Sequence, residues 1–374
     1  MILGGAQENT LLTVDGLSRK PGVSAVLVTG PTAGPEGELL EEAGRRGIEV
    51  ILAGSLRRRV APLRDLGAYR ELKKIIGRLA PDVVHTHSSK AGILGREAAH
   101  ALRIGAITHT IHGLPFHPYQ SGVLNALYIT AERRAGRYCR KIIAVADAMA
   151  RGAVEARIGP REKFVTIYSG MEVEPFLAGT GRRAVRERLG IGPDELVIGK
   201  IARLFHLKGH RYVLDAAPRI LEVLPNARFL FVGDGVLREE LAGQARRLGV
   251  DGRVIFAGLR PQREIPELLS AMDVLVHASL REGLARSIPQ AMLSGLPVVS
   301  FDIDGAGEVV IDGKTGCLVR PQDVGALADA TVRLLTHPEQ ARAMGREGRE
   351  LCRDKFRADA MVDGIYKLYE ELLN

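Results

Sequence analysis

The chain has 374 residues, 46% of them hydrophobic and 26% charged, and its 52 Lys+Arg against 44 Asp+Glu give a formal charge of +8. That length exceeds one compact core and fits two domains of about 180 residues each, while the composition excludes a disordered chain and no apolar run reaches the ~18 residues of a membrane-spanning helix. The start, Met1-Ile2-Leu3-Gly4-Gly5, lacks the regions of a secretory signal, which points to the cytoplasm; Cys139, Cys317 and Cys352 lie too far apart to suggest disulfides or zinc.

Short apolar, β-branched runs recur along the chain, each followed by a segment of helical character. In the first half they are 25–29, 50–53, 83–86, 106–111, 142–145 and 165–168; in the second, 197–202, 229–232, 254–257, 274–277, 298–301 and 317–319. Alternating strands and helices predict parallel sheets covered on both faces, and two such series predict two doubly wound α/β domains. The Gly- and Arg-rich stretch 176–193 reads as the linker between them. This gives a first domain over 1–178, a second over 179–356, and a terminal helix over 357–374 expected to return to the first. Met1-Ile2-Leu3 reads as the end of a first strand too short to pair well, so either the chain starts late or that sheet is incomplete.

Charge is uneven. Residues 1–180 hold 24 Lys+Arg and 17 Asp+Glu, the remainder 28 and 27. The basic density peaks at Arg57, Arg58 and Arg59, followed by Arg64, Arg70, Lys73, Lys74 and Arg78. Over 65–79, Leu66, Tyr69, Leu72, Ile75, Ile76 and Leu79 have helical spacing, so the basic residues face water. A solvated helix face and an anionic membrane surface are both open readings. Nucleic acid is disfavoured, because the chain has no Trp and no nucleic-acid motif.

Several strand ends carry residues with chemical potential. Gly4 and Gly5 precede a helix over 9–17, where backbone N–H groups can meet a phosphate or a hydroxyl-rich group. His85 and His87 end one strand, and His109 and His112 end the next. Alternation is expected to send one His of each pair to each side, with His112 best placed beside Gly113. In the second half, Arg203 and Lys208 follow a strand and can converge on a diphosphate, Arg as a fork and Lys as a point charge. Gly233-Asp234-Gly235 and Gly258-Leu259-Arg260 allow close backbone approach to a nucleotide. Glu282-Gly283-Leu284 leads toward Pro289-Gln290. If helical, the eight steps from Glu282 to Gln290 span about 12 Å and bring the side chains within about 80° of each other, so that they could grip opposite ends of one extended ligand. Asp302-Ile303-Asp304 has metal-binding spacing, with loop capping as the other reading.

Taken together, Gly4-Gly5-Ala6, 82–90, His109 to Gly113, Tyr168-Ser169-Gly170-Met171-Glu172, Arg203 to Gly209, Gly233-Asp234-Gly235 and Glu282 to Met292 resemble the GT-B glycosyltransferases of family 4 over nearly the whole chain. The resemblance implies two facing Rossmann-like domains with the active site in the interdomain cleft, and a retaining transfer of sugar from a nucleoside diphosphate, UDP favoured. It implies that Arg203 and Lys208 bind the donor diphosphate, that Glu282 holds sugar hydroxyls, and that His112 contacts the transferred sugar. Donor contacts would fall on Gly4, Gly5, Gly233, Asp234, Leu259, Arg260, Gly283, Leu284 and Gln290, and acceptor contacts on Gly5 and His87. At position 290 the family pattern has a second Glu on the ribose; an amide has one acceptor oxygen and a donor nitrogen, so altered ribose geometry is expected. No metal is required on this reading. The acceptor would be a glycan or a polyprenyl-linked sugar, met at an anionic membrane through Arg57, Arg58, Arg59, Lys73 and Lys74. The alternatives are a sugar-nucleotide epimerase and a non-catalytic nucleotide-sugar-binding protein.

Overall fold

A computed structural model describes residues 5–31, 40–57, 60–179 and 181–374. The chain divides into two compact units, Met1–Met171 with Phe356–Asn374, and Glu172–Lys355.

In the first unit the strands are β1 (Val26–Thr29), β2 (Glu49–Leu52), β3 (Val83–His87), β4 (Ala106–Ile111), β5 (Lys141–Ala144) and β6 (Phe164–Thr166). β1 pairs with β2, and β3 to β6 pair in chain order, all parallel. Met1-Ile2-Leu3 lies outside the described residues. The C-terminal helix Ala358–Leu373 belongs to this unit because its apolar face has one place to go. Met361, Val362, Ile365, Leu368 and Leu372 pack with Leu17, Ala106 and Ile143. A Cβ at Gly16 would stand 2.5 Å from Val362 Cγ2, so glycine lets the helix Gly5–Ser18 approach this face.

The basic helix runs over Pro62–Leu79, three residues longer than its apolar spacing suggests, with Pro62 opening the first turn. Ala68, Leu72, Ile75 and Ile76 are buried, whereas Leu66 is 46% exposed. The expectation that Leu66 faces the core is therefore wrong: it projects from the first turns, on the solvent side of the buried stripe.

The second unit holds β7 (Leu196–Ile201), β8 (Ala227–Val232), β9 (Val254–Gly258), β10 (Val274–His277), β11 (Val298–Phe301) and β12 (Gly316–Val319). All pair in parallel, in the order β12-β11-β10-β7-β8-β9. This is the Rossmann order, and its reversal point lies between β7 and β10, where ligands bind such sheets beyond the strands' carboxyl ends. Ile198, Phe229, Phe231, Val274, Val276 and Val299 share one core with the helices His210–Val223 and Val324–Thr336. Full burial of β10 and β11 explains why their sequences are unbroken apolar runs.

Within the stretch 176–193, Phe176, Val185, Arg186 and Ile191 are buried and anchor it in the second unit. Within the helix Arg182–Arg188, Arg186 is 6% exposed and pairs with Asp273 at 2.7 Å, while donating to the carbonyls of Ala271 and Glu195. Phe176 is buried in the short helix Glu174–Leu177, which belongs to the second unit.

Candidate active site

Three loops meet at the reversal point of the second sheet, after β7, β8 and β10. The Leu204 N–H donates to the Asp234 carbonyl (2.9 Å), the Leu237 N–H to the Leu204 carbonyl (3.0 Å) and the Leu280 N–H to the Leu207 carbonyl (2.8 Å). Two glycines permit this stacking. At Gly233 (φ +136°) a Cβ would lie 2.1 Å from the Ala202 oxygen, and at Gly209 (φ +71°) 1.7 Å from the Ala278 oxygen. Neither position can take a side chain without moving backbone.

On this platform Lys208 and Glu282 form an ion pair, Nζ to Oε1 at 2.5 Å, with side chains 22% and 19% exposed. His277, at the end of β10, holds its Nε2 3.9 Å from the same carboxylate oxygen, and its Nδ1 is 3.2 Å from Ser300 Oγ. Burial alone would raise the Glu282 carboxyl; the Lys208 ammonium and the His277 ring outweigh it and hold it far below the usual carboxylate range. The backbone of the same loop is pinned from β11. Asp304 Oδ2 accepts the Glu282 N–H at 2.6 Å, and the Gly305 N–H donates to the Gly283 carbonyl at 3.0 Å. Of the two readings of Asp302-Ile303-Asp304, loop capping is the one these contacts display. Arg203 is half-buried, its guanidinium 4.9 Å from the Phe205 ring centroid.

The helical geometry expected from Glu282 to Gln290 is not observed. Because Asp304 and Gly305 hold residues 282 and 283 as loop, the helix begins only at Ser287 and ends at Leu293. Gln290 is 4% exposed within it. Gly283 is buried, Leu284 half-buried, and Asp234 exposed with its Oδ1 accepting the Gly235 N–H. Leu259 is exposed; Arg260 donates to the Ala257 carbonyl at 2.9 Å and lies 3.6 Å from Glu264, so it braces its own turn.

Sequence reasoning missed Lys200. This strand residue is 1% exposed and lies within the electrostatic reach of Glu282 and Lys208. A lone charge inside an otherwise apolar strand run is the signal that could have found it.

In the first unit the histidines gather more closely than expected. His85 and His87 stack with ring centroids 4.3 Å apart, since residues two apart in a strand share a face. The expectation that this pair divides between the two sides is thus overturned. His87 Nδ1 is hydrogen-bonded to His112 Nε2 at 3.0 Å, and His85 bonds the Tyr369 hydroxyl and Thr110 Oγ1. Burial pushes His87 down to about 4, so the ring is neutral at physiological pH. His109 is buried on another course, bonded to Thr86 Oγ1 at 2.9 Å. Gly5 opens the helix Gly5–Ser18, whereas Gly4, Arg58 and Arg59 lie outside the described residues.

The sequence as a whole matches two family profiles, "Glycosyltransferase Family 4" over residues 3–175 and "Glycosyl transferases group 1" over 181–351. It is 30% identical to EpsD of Bacillus subtilis, over 82% of each chain. It is 27% identical to a UDP-Gal:alpha-D-GlcNAc-diphosphoundecaprenol alpha-1,3-galactosyltransferase of Escherichia coli, over 91% of this chain and 87% of the other. Among solved structures it resembles HepE of Anabaena in complex with UDP and glucose, with a TM-score of 0.83 and 23% identity, over 98% of this chain and 96% of that one.

Proposed function

Because this chain belongs to the family 4 glycosyltransferases of the GT-B fold, we propose that it is a retaining enzyme that transfers a hexosyl or N-acetylhexosaminyl group from a nucleoside diphosphate sugar, UDP-sugar favoured, to a glycan or lipid-linked acceptor. The observation that carries this reading is the Lys208–Glu282 pair at the point where the second sheet reverses its strand order. Lys208 and Arg203 would neutralise the diphosphate as the bond from the sugar carbon to the phosphate oxygen breaks and its electron pair leaves with the phosphate. Glu282, kept ionised by Lys208 and His277, would accept hydrogen bonds from the sugar hydroxyls. The acceptor oxygen would bond to that carbon on the same face, its proton passing to the departing diphosphate. His112, with its ring fixed by His87, is assigned to a hydroxyl of the transferred sugar. In this reading the protein's own cations stabilise the leaving group and no divalent metal is needed. Gly5 and His87 are kept as acceptor contacts, and Gly233, Asp234, Leu259, Arg260, Gly283, Leu284 and Gln290 as donor contacts. A thermal-shift screen with UDP-, GDP- and ADP-sugars, followed by a transfer assay in EDTA, tests it. Release of an epimeric nucleotide sugar without acceptor would favour the epimerase alternative.

A lipid-linked acceptor is supported by the outer face of the helix Pro62–Leu79. At 100° per residue, Leu63, Arg70 and Lys74 lie within about 40° of one another, opposite the buried stripe. Leu63 is 88% exposed and Val60, just ahead of the helix, 70%, with Arg57, Arg64, Arg70 and Lys74 exposed around them. The nearby carboxylates are engaged: Glu71 accepts the N–H groups of Gly54 and Ser55, and Asp65 pairs with Lys90. Cations around protruding apolar tips suit an anionic lipid surface. Among the described residues no helix is long and apolar enough to cross a membrane.

A further inference from the structure

Beneath the Lys208–Glu282 pair the second unit buries polar groups that the proposed reaction does not use. Lys200, on β7 beside Phe231 of β8, is 1% exposed, and its Nζ has no hydrogen-bond partner. His210 opens the helix that covers this face of the sheet; it is 2% exposed, and its ring interacts with the Ala202 backbone. His277 Nε2 faces the Glu282 carboxylate from 3.9 Å. A buried polar atom left unpaired is costly, most of all when charged, so Lys200 calls for a state in which its ammonium is used.

We propose that Lys200 is a positioning residue that takes over Glu282 as its counter-ion when the donor diphosphate draws Lys208 away. This rests on the reading of Lys208 as a diphosphate ligand. In the free protein Lys208 satisfies Glu282. Once Lys208 turns to phosphate, the carboxylate would be stranded in a largely dry site. Lys200 approaches from the sheet and can keep the carboxylate ionised and in place.

The groups facing Lys200 set its charge. Burial lowers its ammonium to about 7, Glu282 pulling it up and Lys208 pushing it down. His210 and His277 are kept neutral, chiefly by burial, and do not compete for the proton. Removing Lys208 from Glu282 ends the repulsion and leaves the attraction, so Lys200 gains proton affinity. Donor binding therefore takes up a proton from solvent. At pH 8 a group that titrates near 7 is about nine-tenths neutral before binding, so uptake approaches one proton.

The test is calorimetric titration of the full chain at pH 8 with UDP, GDP and ADP, repeated in buffers of different ionisation enthalpy. For the nucleotide that binds, the enthalpy should vary with buffer by an amount corresponding to between about half a proton and one proton taken up. Lys200→Met, an apolar replacement of similar length, should retain binding and lose most of that uptake. Glu282→Gln should lose it also, and serves if the Lys200 variant fails to fold. Binding without proton uptake, or uptake unchanged in either variant, overturns the exchange while leaving the diphosphate reading standing. Unaltered affinity in Lys208→Ala, or no binding by any of the three nucleotides, overturns that reading and the exchange with it.

Discussion

Replacing Lys208 with alanine removes the ammonium that neutralises Glu282 and, in the proposed reaction, the departing diphosphate. The two effects are separable. In the free protein the pair is 2.5 Å long and about four-fifths withdrawn from water. Breaking a fully buried pair by removing one partner costs roughly 3–5 kcal/mol. Here some solvent reaches both groups, and His277 and Lys200 still face the carboxylate, so about 2 kcal/mol is expected, or roughly 4–8 °C in Tm for a unit of this size. The pH dependence has a definite sign. Glu282 titrates below its unfolded value, so the pair's contribution is fully present above the unfolded pKa of about 4.3 and is lost as pH falls through the folded value. Below the range in which Lys200 titrates, from about pH 6 to pH 5, the stability gap between wild type and variant should be constant, and it should close only in more acid solution. Turnover should fall at least tenfold, about 1.4 kcal/mol of barrier, because the cation acts where charge develops. Denaturation and initial-rate assays on the same preparation give both numbers. A folded Lys208→Ala protein with unchanged turnover would remove this residue from the chemistry.

Gly233→Ala should destabilise the second unit by more than about 2 kcal/mol in denaturant titration, since its Cβ would meet the Ala202 carbonyl at 2.1 Å in a backbone conformation that suits glycine. A neutral result would contradict the stacking of the loops after β7 and β8. Gln290→Glu should keep or raise donor affinity by restoring a carboxylate to the ribose diol; a large loss in calorimetry would show that the ribose contact is misassigned. Leu63→Ser combined with Lys74→Glu should reduce binding to vesicles containing anionic phosphatidylglycerol at least severalfold without loss of folding, and wild-type binding should weaken as salt rises. Equal binding by variant and wild type would count against that face.

Much of the architecture is legible in the sequence because parallel strands buried on both faces leave unbroken apolar runs. Val274–His277 and Val298–Phe301 are such strands, and their observed limits coincide with the runs. Elsewhere the pattern carries less than the packing. Arg186 has the same letter as a solvated arginine, and only its place against Asp273 turns a basic stretch into a structural brace. The spacing from Glu282 to Gln290 suggests a helix, yet a carboxylate 22 residues further on, Asp304, accepts the Glu282 N–H and holds the segment as loop. The stack of His85 on His87 follows from strand parity, whereas the join from His87 to His112 depends on strand register, β3 beside β4. Lys200 was visible as one charge in an apolar strand, but its proximity to Glu282 comes from loops that close over the sheet.

The most direct test compares the affinity of the wild-type chain for uridine and for UDP, with the same pair measured on the Arg203→Ala, Lys208→Ala double variant. If the two cations grip the diphosphate, UDP should bind at least about 100-fold more tightly than uridine, some 2.7 kcal/mol, and the double variant should lose most of that advantage. Equal affinity for nucleoside and diphosphate, or an advantage that survives the double substitution, would contradict the account.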